Sequence, residues 1–109
     1  MSSETYMGDL GVTIERLGAR ITLHASGPVD GKTAASLHEP LLEAAATPNA
    51  TVCLDLARVP YMSNAGLRVL VLAAQALRAR DGRLRLEHVP PHIENLLNSA
   101  GFTSFVDVA

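Results

Sequence analysis

The order of apolar and turn-forming segments predicts a single α/β domain, in which a mixed β-sheet is backed by helices. Segments 12–17 and 19–25 alternate apolar and polar residues on either side of Gly18, which indicates a β-hairpin. Segment 52–56 is an almost continuous apolar run, typical of a strand covered on both faces of a parallel sheet. Helical periodicity follows each of these features, so the predicted order is β-β-α-β-α-β-α-β.

Length and composition limit the classes of function. With 109 residues the chain has room for one hydrophobic core, so residues 1–109 are predicted to form one domain. Its 48% hydrophobic and 18% charged residues are typical of a compact protein. A net charge of −2 provides no basic surface for nucleic acid. Residues 1–10 are polar, belong to no predicted element and are candidates for disorder.

The sequence also indicates where in the cell the protein is located. Residues 1–10 carry Glu4 and Asp9, which does not suit a secretory signal. The longest apolar run, Val69 to Ala74, is too short to cross a bilayer. We therefore expect a cytoplasmic protein without membrane insertion.

The first helix is predicted over Gly31 to Ala46, where apolar residues recur at helical spacing. The stretch Gly27 to Asp30 ends the preceding strand, and Asp30 is the predicted N-cap. Pro40 removes one backbone hydrogen bond, so an interruption or kink is expected there.

The second helix is predicted from Ala65 to about Arg80, with Ser63 or Asn64 as its cap and Gly82 as its left-handed stop. After it, segment 83–89 alternates as a strand, and Pro90 opens a short helix that Gly101 closes. Segment 105–108 is predicted as a last strand at the sheet edge.

The stretch from Asp55 to Leu67 resembles a known signature. In STAS domains, the fold of bacterial anti-sigma factor antagonists, a strand ends in Asp and a short loop leads to Asp-Ser-Ser-Gly-Leu at a helix start. Here the corresponding residues are Ser63-Asn64-Ala65-Gly66-Leu67, of which the Gly and the Leu match. The resemblance extends from about Val12 to Val108 and implies the STAS fold.

The resemblance also implies a function. It suggests a protein-binding module, without enzymatic activity or cofactor, that sequesters a Ser/Thr kinase-type anti-sigma factor and so releases a sigma factor. In the family the Ser before the Gly is phosphorylated, but Ala65 stands there. Either binding is independent of phosphorylation, which we favour, or Ser63 takes the phosphate. A regulatory or scaffolding subunit of a transport or stress-signalling complex is the alternative function.

We expect the partner to bind where the second helix begins. Apolar side chains are predicted there among polar neighbours, a composition typical of a docking patch. The predicted partner surface consists of Met62, Ser63, Asn64, Ala65, Arg68, Leu72, Gln75 and the nearby Asp30.

Enzymatic alternatives find little support. The loop from Gly27 to Thr33 has three residues between its glycines, whereas a phosphate-binding loop needs four. Cys53 lies inside an apolar strand and should be buried and unreactive. Asp55 is expected to fix the following loop through backbone N–H groups. No metal site is predicted, because the histidines are scattered along the chain, at His24, His38, His88 and His92.

Overall fold

The structure, a computed structural model, describes residues 2–7, 10–102 and 107–108, and the side chains of residues 10–102. Strands and helices alternate from the third strand onward, as expected for parallel crossovers. The elements are β1 (Ser2–Met7), β2 (Gly11–Leu17), β3 (Arg20–Ser26), α1 (Ala34–Ala45), β4 (Thr51–Arg58), α2 (Asn64–Arg78), β5 (Arg83–Glu87), α3 (Pro91–Ser99) and β6 (Asp107–Val108).

Within the described residues, one sheet contains the strands in chain order, from β1 to β6. The hairpin of β2 and β3 is antiparallel, whereas β3, β4, β5 and β6 pair in parallel. This confirms the predicted mixed sheet. In the hairpin, Leu17 pairs with Arg20 around Gly18, which adopts a positive φ of 61°.

The structure adds one strand that the sequence did not predict. β1 pairs antiparallel with β2, from Ser2 opposite Arg16 to Met7 opposite Gly11, so the first ten residues contain a strand. A polar segment lacks the alternation of apolar and polar residues by which a strand is predicted. At a sheet edge, however, backbone hydrogen bonds to one neighbour are sufficient, and no apolar face is needed.

The helices cover one face of the sheet. Successive parallel strands are added in one direction, and right-handed crossovers then place each connecting helix on the same side. Ile14, Leu23, Leu54 and Leu86 form a row across four neighbouring strands on this side, and each is fully buried. Full burial of one such side chain contributes roughly 1.5–3 kcal/mol.

The opposite face of the sheet is polar and partly exposed. On β4 only Cys53 is fully buried on this side, while Asp55, two residues further, is half-buried. The neighbours of Cys53 in register are Thr22 and Arg85, and Arg85 is exposed. The prediction that β4 is covered on both faces is therefore wrong beyond Cys53, because none of the helices in the described residues lies on this side.

The start of α1 differs from the prediction. Residues 31–33 form turns, so the helix begins at Ala34 and Thr33 occupies the N-cap position. Asp30 is not the N-cap. Its carboxylate instead accepts hydrogen bonds from the N–H groups of Lys32 and Thr33, in the turn between Asp30 and the helix. The helix continues through Pro40 to Ala45, because a single missing hydrogen bond does not end it.

The residue with left-handed backbone conformation at the end of α2 also differs from the prediction. Asp81, with a φ of 60°, adopts the left-handed conformation that was predicted for Gly82. Gly82 is required for another reason, since a Cβ there would lie 2.6 Å from the carbonyl oxygen of Ala50. β5 ends at Glu87, two residues earlier than predicted.

The C-terminal part agrees with the sequence in its main features. α3 begins at Pro91, and Gly101 follows it with a positive φ of 69°. β6 pairs in parallel with β5 at the sheet edge. The first half of the predicted last strand, residues 105–106, lies outside the described residues. None of the helices described is long and apolar enough to cross a membrane.

Candidate protein-docking site

Two loops meet beside the start of α2 and are joined through their backbones. The N–H of Val29, in the loop after β3, donates to the carbonyl of Tyr61, in the loop after β4, at 2.9 Å. The N–H of Ser63 donates in turn to the carbonyl of Val29 at 2.8 Å. These bonds form an isolated parallel bridge between Val29 and Met62. The surface at the helix start is therefore held by main-chain contacts.

Gly66 allows the first turn of α2 to pack closely on these loops. A Cβ at this position would lie 2.7 Å from Cγ of Met62 and 2.7 Å from Cγ1 of Val29. Real Cβ atoms do not approach other heavy atoms so closely. The glycine of the signature is therefore explained by packing, and its φ is not positive.

Ser63 is the N-cap of α2. Its backbone is extended, with a ψ of 178°, and its Oγ accepts a hydrogen bond from the N–H of Ala65 at 3.2 Å. Its carbonyl accepts from the N–H of Leu67 at 3.1 Å, which closes the first helical turn. Of the two residues predicted as cap, Ser63 and Asn64, the structure therefore selects Ser63.

Most of the predicted partner surface is accessible. Leu72 is 43% exposed, and its polar neighbours on α2 are exposed as well, namely Asn64, Arg68 and Gln75. Ser63, Ala65 and Asp30 are half-buried, so each retains some accessible surface.

Met62 does not belong to this surface. It is only 4% exposed, because the bridge to Val29 turns its side chain inward beneath Gly66. The neighbouring Tyr61, which was not predicted from the sequence, is 53% exposed. Adjacent residues in extended chain point in opposite directions, so a buried Met62 would have indicated an exposed Tyr61. We refer to the exposed residues Tyr61, Asn64, Arg68, Leu72 and Gln75 as the α2 face.

The α2 face carries one charge, the positive Arg68, and helix α2 contains no acidic residue. The loop after β3 lies beside it and contributes one charge of each sign, from the exposed Lys32 and from Asp30. A complementary partner would present an acidic group opposite Arg68, next to an apolar contact.

The loop that contains Asp30 is ordered by its own hydrogen bonds. The Asp30 carboxylate accepts from the N–H of Lys32 at 2.9 Å and from that of Thr33 at 3.1 Å. The bond from Lys32 and those from Thr33 hold the pKa of Asp30 below its ordinary value. The Thr33 hydroxyl donates to the carbonyl of Pro28 at 2.8 Å. Asp30 therefore contributes to the surface as a fixed, charged group.

Asp55 lies in the second half of β4, on the polar face of the sheet. Its Oδ1 accepts from the N–H of Ala57 at 2.9 Å. Because β4 continues to Arg58, this bond lies within the strand and not in the following loop, where the sequence had placed the contacts of this carboxylate. Two histidines also contact it: Nδ1 of His24 lies 2.9 Å from Oδ2, and Nδ1 of His88 lies 3.1 Å from Oδ1. Burial alone would raise the pKa of Asp55, but these hydrogen bonds outweigh it and lower the pKa.

These two histidines are far apart in the sequence, yet the sheet register brings them together. His24 on β3 stands opposite Asp55 on β4, and Asp55 stands opposite Glu87, which precedes His88. The described residues include no group of three or more His, Cys, Asp or Glu side chains placed to hold a metal ion. Burial raises the pKa of the Cys53 thiol, which disfavours the reactive thiolate.

Comparison with known proteins identifies the family. A family model described as "Mlab, STAS domain" matches residues 12–107. The chain belongs to the STAS domain family. The STAS chain is also 33% identical, over 98 residues, to BtrV of Bordetella bronchiseptica, by name an anti-sigma factor antagonist. That match covers 90% of this chain and 84% of BtrV, so we describe the protein as an anti-sigma factor antagonist-like STAS domain.

Solved structures share the fold at lower identity. The unphosphorylated anti-sigma factor antagonist SpoIIAA of Bacillus superimposes with a TM-score of 0.71 and 15% identity, covering 90% of this chain and 86% of its own. An anti-sigma factor antagonist of Mycobacterium paratuberculosis gives 0.77 and 19%, covering 98% and 85%. A sulfate transporter family protein of Wolinella succinogenes gives 0.69 and 24%, covering 81% and 71%.

Proposed function

We propose that this STAS domain binds an anti-sigma factor of the Ser/Thr kinase fold through the α2 face and thereby releases a sigma factor. The observation that carries the proposal is the exposure of Leu72 and Tyr61 beside a helix start whose loops are already fixed. The identity to BtrV supports the class of partner.

The energetics fit a modest, specific contact. Complete burial of a Leu or aromatic side chain against a partner contributes roughly 1.5–3 kcal/mol. The exposed polar side chains around it, Asn64, Arg68 and Gln75, would fix the orientation of the partner and complement its charge. Because the loops are tied by backbone hydrogen bonds, little ordering is required when the partner binds.

We further propose that binding is not controlled by phosphorylation at the usual position. Ala65 has no hydroxyl, and its N–H is held by the Ser63 side chain. A phosphate would add about −1.5 to −2 charges to the interface and oppose docking on an acidic partner. Without an acceptor at Ala65, that form of regulation has no site.

The partner surface can be tested with a matched pair of leucine variants. Leu72→Ala removes an apolar contact of the α2 face, whereas Leu42→Ala removes a leucine of similar exposure from α1. We expect Leu72→Ala to weaken binding to a purified kinase-type anti-sigma factor from the same organism about tenfold, as measured by isothermal titration calorimetry. Leu42→Ala should bind as the wild type does. Equal affinities for both variants would exclude this surface.

Phosphorylation requires a separate experiment. The wild type, Ala65→Ser and Ser63→Ala are incubated with the same kinase-type partner and ATP, and their intact masses are measured. We expect one added phosphate on Ala65→Ser alone. A phosphate that is found on the wild type and is absent from Ser63→Ala would show that Ser63 is phosphorylated. Our proposal of unregulated binding would then be wrong, whereas the proposed partner would not be affected.

A role as regulatory subunit of a transport complex is the second candidate. The fold it shares with a sulfate transporter family protein favours it. Affinity capture from native lysate separates the two, because a transporter ATPase and a kinase-fold anti-sigma factor differ in identity and mass.

A further inference from the structure

A groove of about 280 Å³ lies on the side of α2 next to the α2 face. With about 100° between successive residues, Val71, Ala74 and Arg78 share one side of the helix, and Leu72 lies about 100° around from Val71. The lining comes from α2, the turn before β5, β5 itself and the turn after α3, and it includes two arginines, Arg78 and Arg83, beside the apolar Val71, Ala74, Leu84 and Phe102.

The groove combines an apolar floor with a cationic rim. Leu84 and Phe102 are each 2% exposed and form its base, and Val71 and Ala74 are half-buried at its side. Arg78 and Arg83 are both exposed at the rim. Among the described residues, the Arg78 guanidinium takes part in no ion pair. Apolar walls with a small number of placed polar or charged groups are the usual composition of a small-ligand site.

We propose that the groove binds a short aliphatic carboxylate, with the chain against the half-buried Val71 and Ala74 and the head group on Arg78. The planar guanidinium matches a carboxylate in geometry and charge, forming two parallel hydrogen bonds. The volume equals about nine molecules of liquid water, which is room for roughly ten non-hydrogen atoms. Octanoate has this size.

The site does not depend on the proposed partner. Its lining residues exclude Tyr61, Arg68 and Leu72, and only Gln75 belongs to both surfaces. Ligand binding can therefore be measured with the purified protein alone, whether or not an anti-sigma factor binds the α2 face.

The test is a titration of octanoate into ¹⁵N-labelled protein, followed by two-dimensional NMR. For a ligand of about ten non-hydrogen atoms we expect a dissociation constant of about 1 mM, with saturable shifts of the amides of Ala74 and Gly82. Arg78→Gln should weaken binding about tenfold. Arg68→Gln, the same exchange on the same helix outside the groove, should leave the affinity unchanged. Octan-1-ol, with the chain but no charge, should bind about tenfold more weakly than octanoate.

Three results would overturn the proposal. The first is the absence of saturable shifts at the groove in the wild type. The second is equal affinity for octanoate and octan-1-ol, since the charge would then not be recognised. The third is an unchanged affinity in Arg78→Gln; this substitution is on the surface and leaves the core intact, so its result is interpretable without concern for folding.

Discussion

The α2 face and the polar face of the sheet use their polar groups in opposite ways. Around Asp55 the polar groups bind one another: both carboxylate oxygens accept hydrogen bonds, and neighbouring Arg85 and Glu87 pair at 3.8 Å. On the α2 face, Leu72 and Arg68 project into solvent. The polar groups of the sheet face are thus already paired within the fold, whereas the α2 face is available to a partner.

The largest effect on stability is expected at the underside of the α2 face. In Gly66→Ala the new methyl group overlaps the buried Met62 and the β-branched Val29, which should cost about 3 kcal/mol, the upper end of the usual range for overpacking. Because helix propensity returns about 1 kcal/mol, the free energy of unfolding should fall by about 2 kcal/mol. Urea denaturation measures the difference. Gly31→Ala is the control, because a methyl group added there would meet nothing within 4 Å. Equal stability of the two variants would show that the close packing is unimportant.

An intermediate effect is expected on the sheet face. Asp55→Asn should lower the free energy of unfolding by about 1–2 kcal/mol at pH 7, since hydrogen bonds to a charged acceptor are replaced by weaker ones. Its affinity for the partner should equal that of the wild type. A loss of binding without a loss of stability would reverse the roles assigned to the two faces.

The stability difference between the wild type and Asp55→Asn should also depend on pH. Because the pKa of Asp55 is lowered in the folded state, its contribution is complete above the unfolded-state value of about 3.9. It is lost as the pH falls below that value and through the folded-state pKa. Urea unfolding at pH 7 and at decreasing acidic pH should therefore show the wild type approaching Asp55→Asn. A difference in the free energy of unfolding between the two proteins that stays constant down to the lowest pH would show that the charge of Asp55 does not stabilise the fold.

The smallest effect is expected at the cap of α2. Ser63→Ala removes the acceptor for the Ala65 N–H, and should cost about 0.5–1 kcal/mol, since the bond is long at 3.2 Å. Ser63→Gly should cost only a few tenths, because water reaches the free N–H. Thermal unfolding of the three proteins gives the ranking. A cost for Gly above that for Ala would mean that backbone freedom, not capping, determines stability here.

Local periodicity was sufficient for most of the fold and insufficient for the site. The hairpin, β4 and α2 were predicted because each repeats apolar residues along one segment. Strand β1 was missed since an edge strand needs only backbone pairing. The orientation of Met62 depends on its bridge to Val29, and the contact of His24 with Asp55 depends on sheet register. Both are contacts between residues far apart in the sequence, which no short pattern reports.

The backbone links between the two loops have a consequence for how such a protein diverges. The N–H of Gly27 bonds to the carbonyl of Arg58 at 3.0 Å, and Val29 bonds through both its N–H and its carbonyl. These contacts involve no side chains, so the outline of the surface persists when exposed residues are exchanged. A substitution at Tyr61 or Leu72 therefore changes the groups offered to a partner while the framework beneath stays constant.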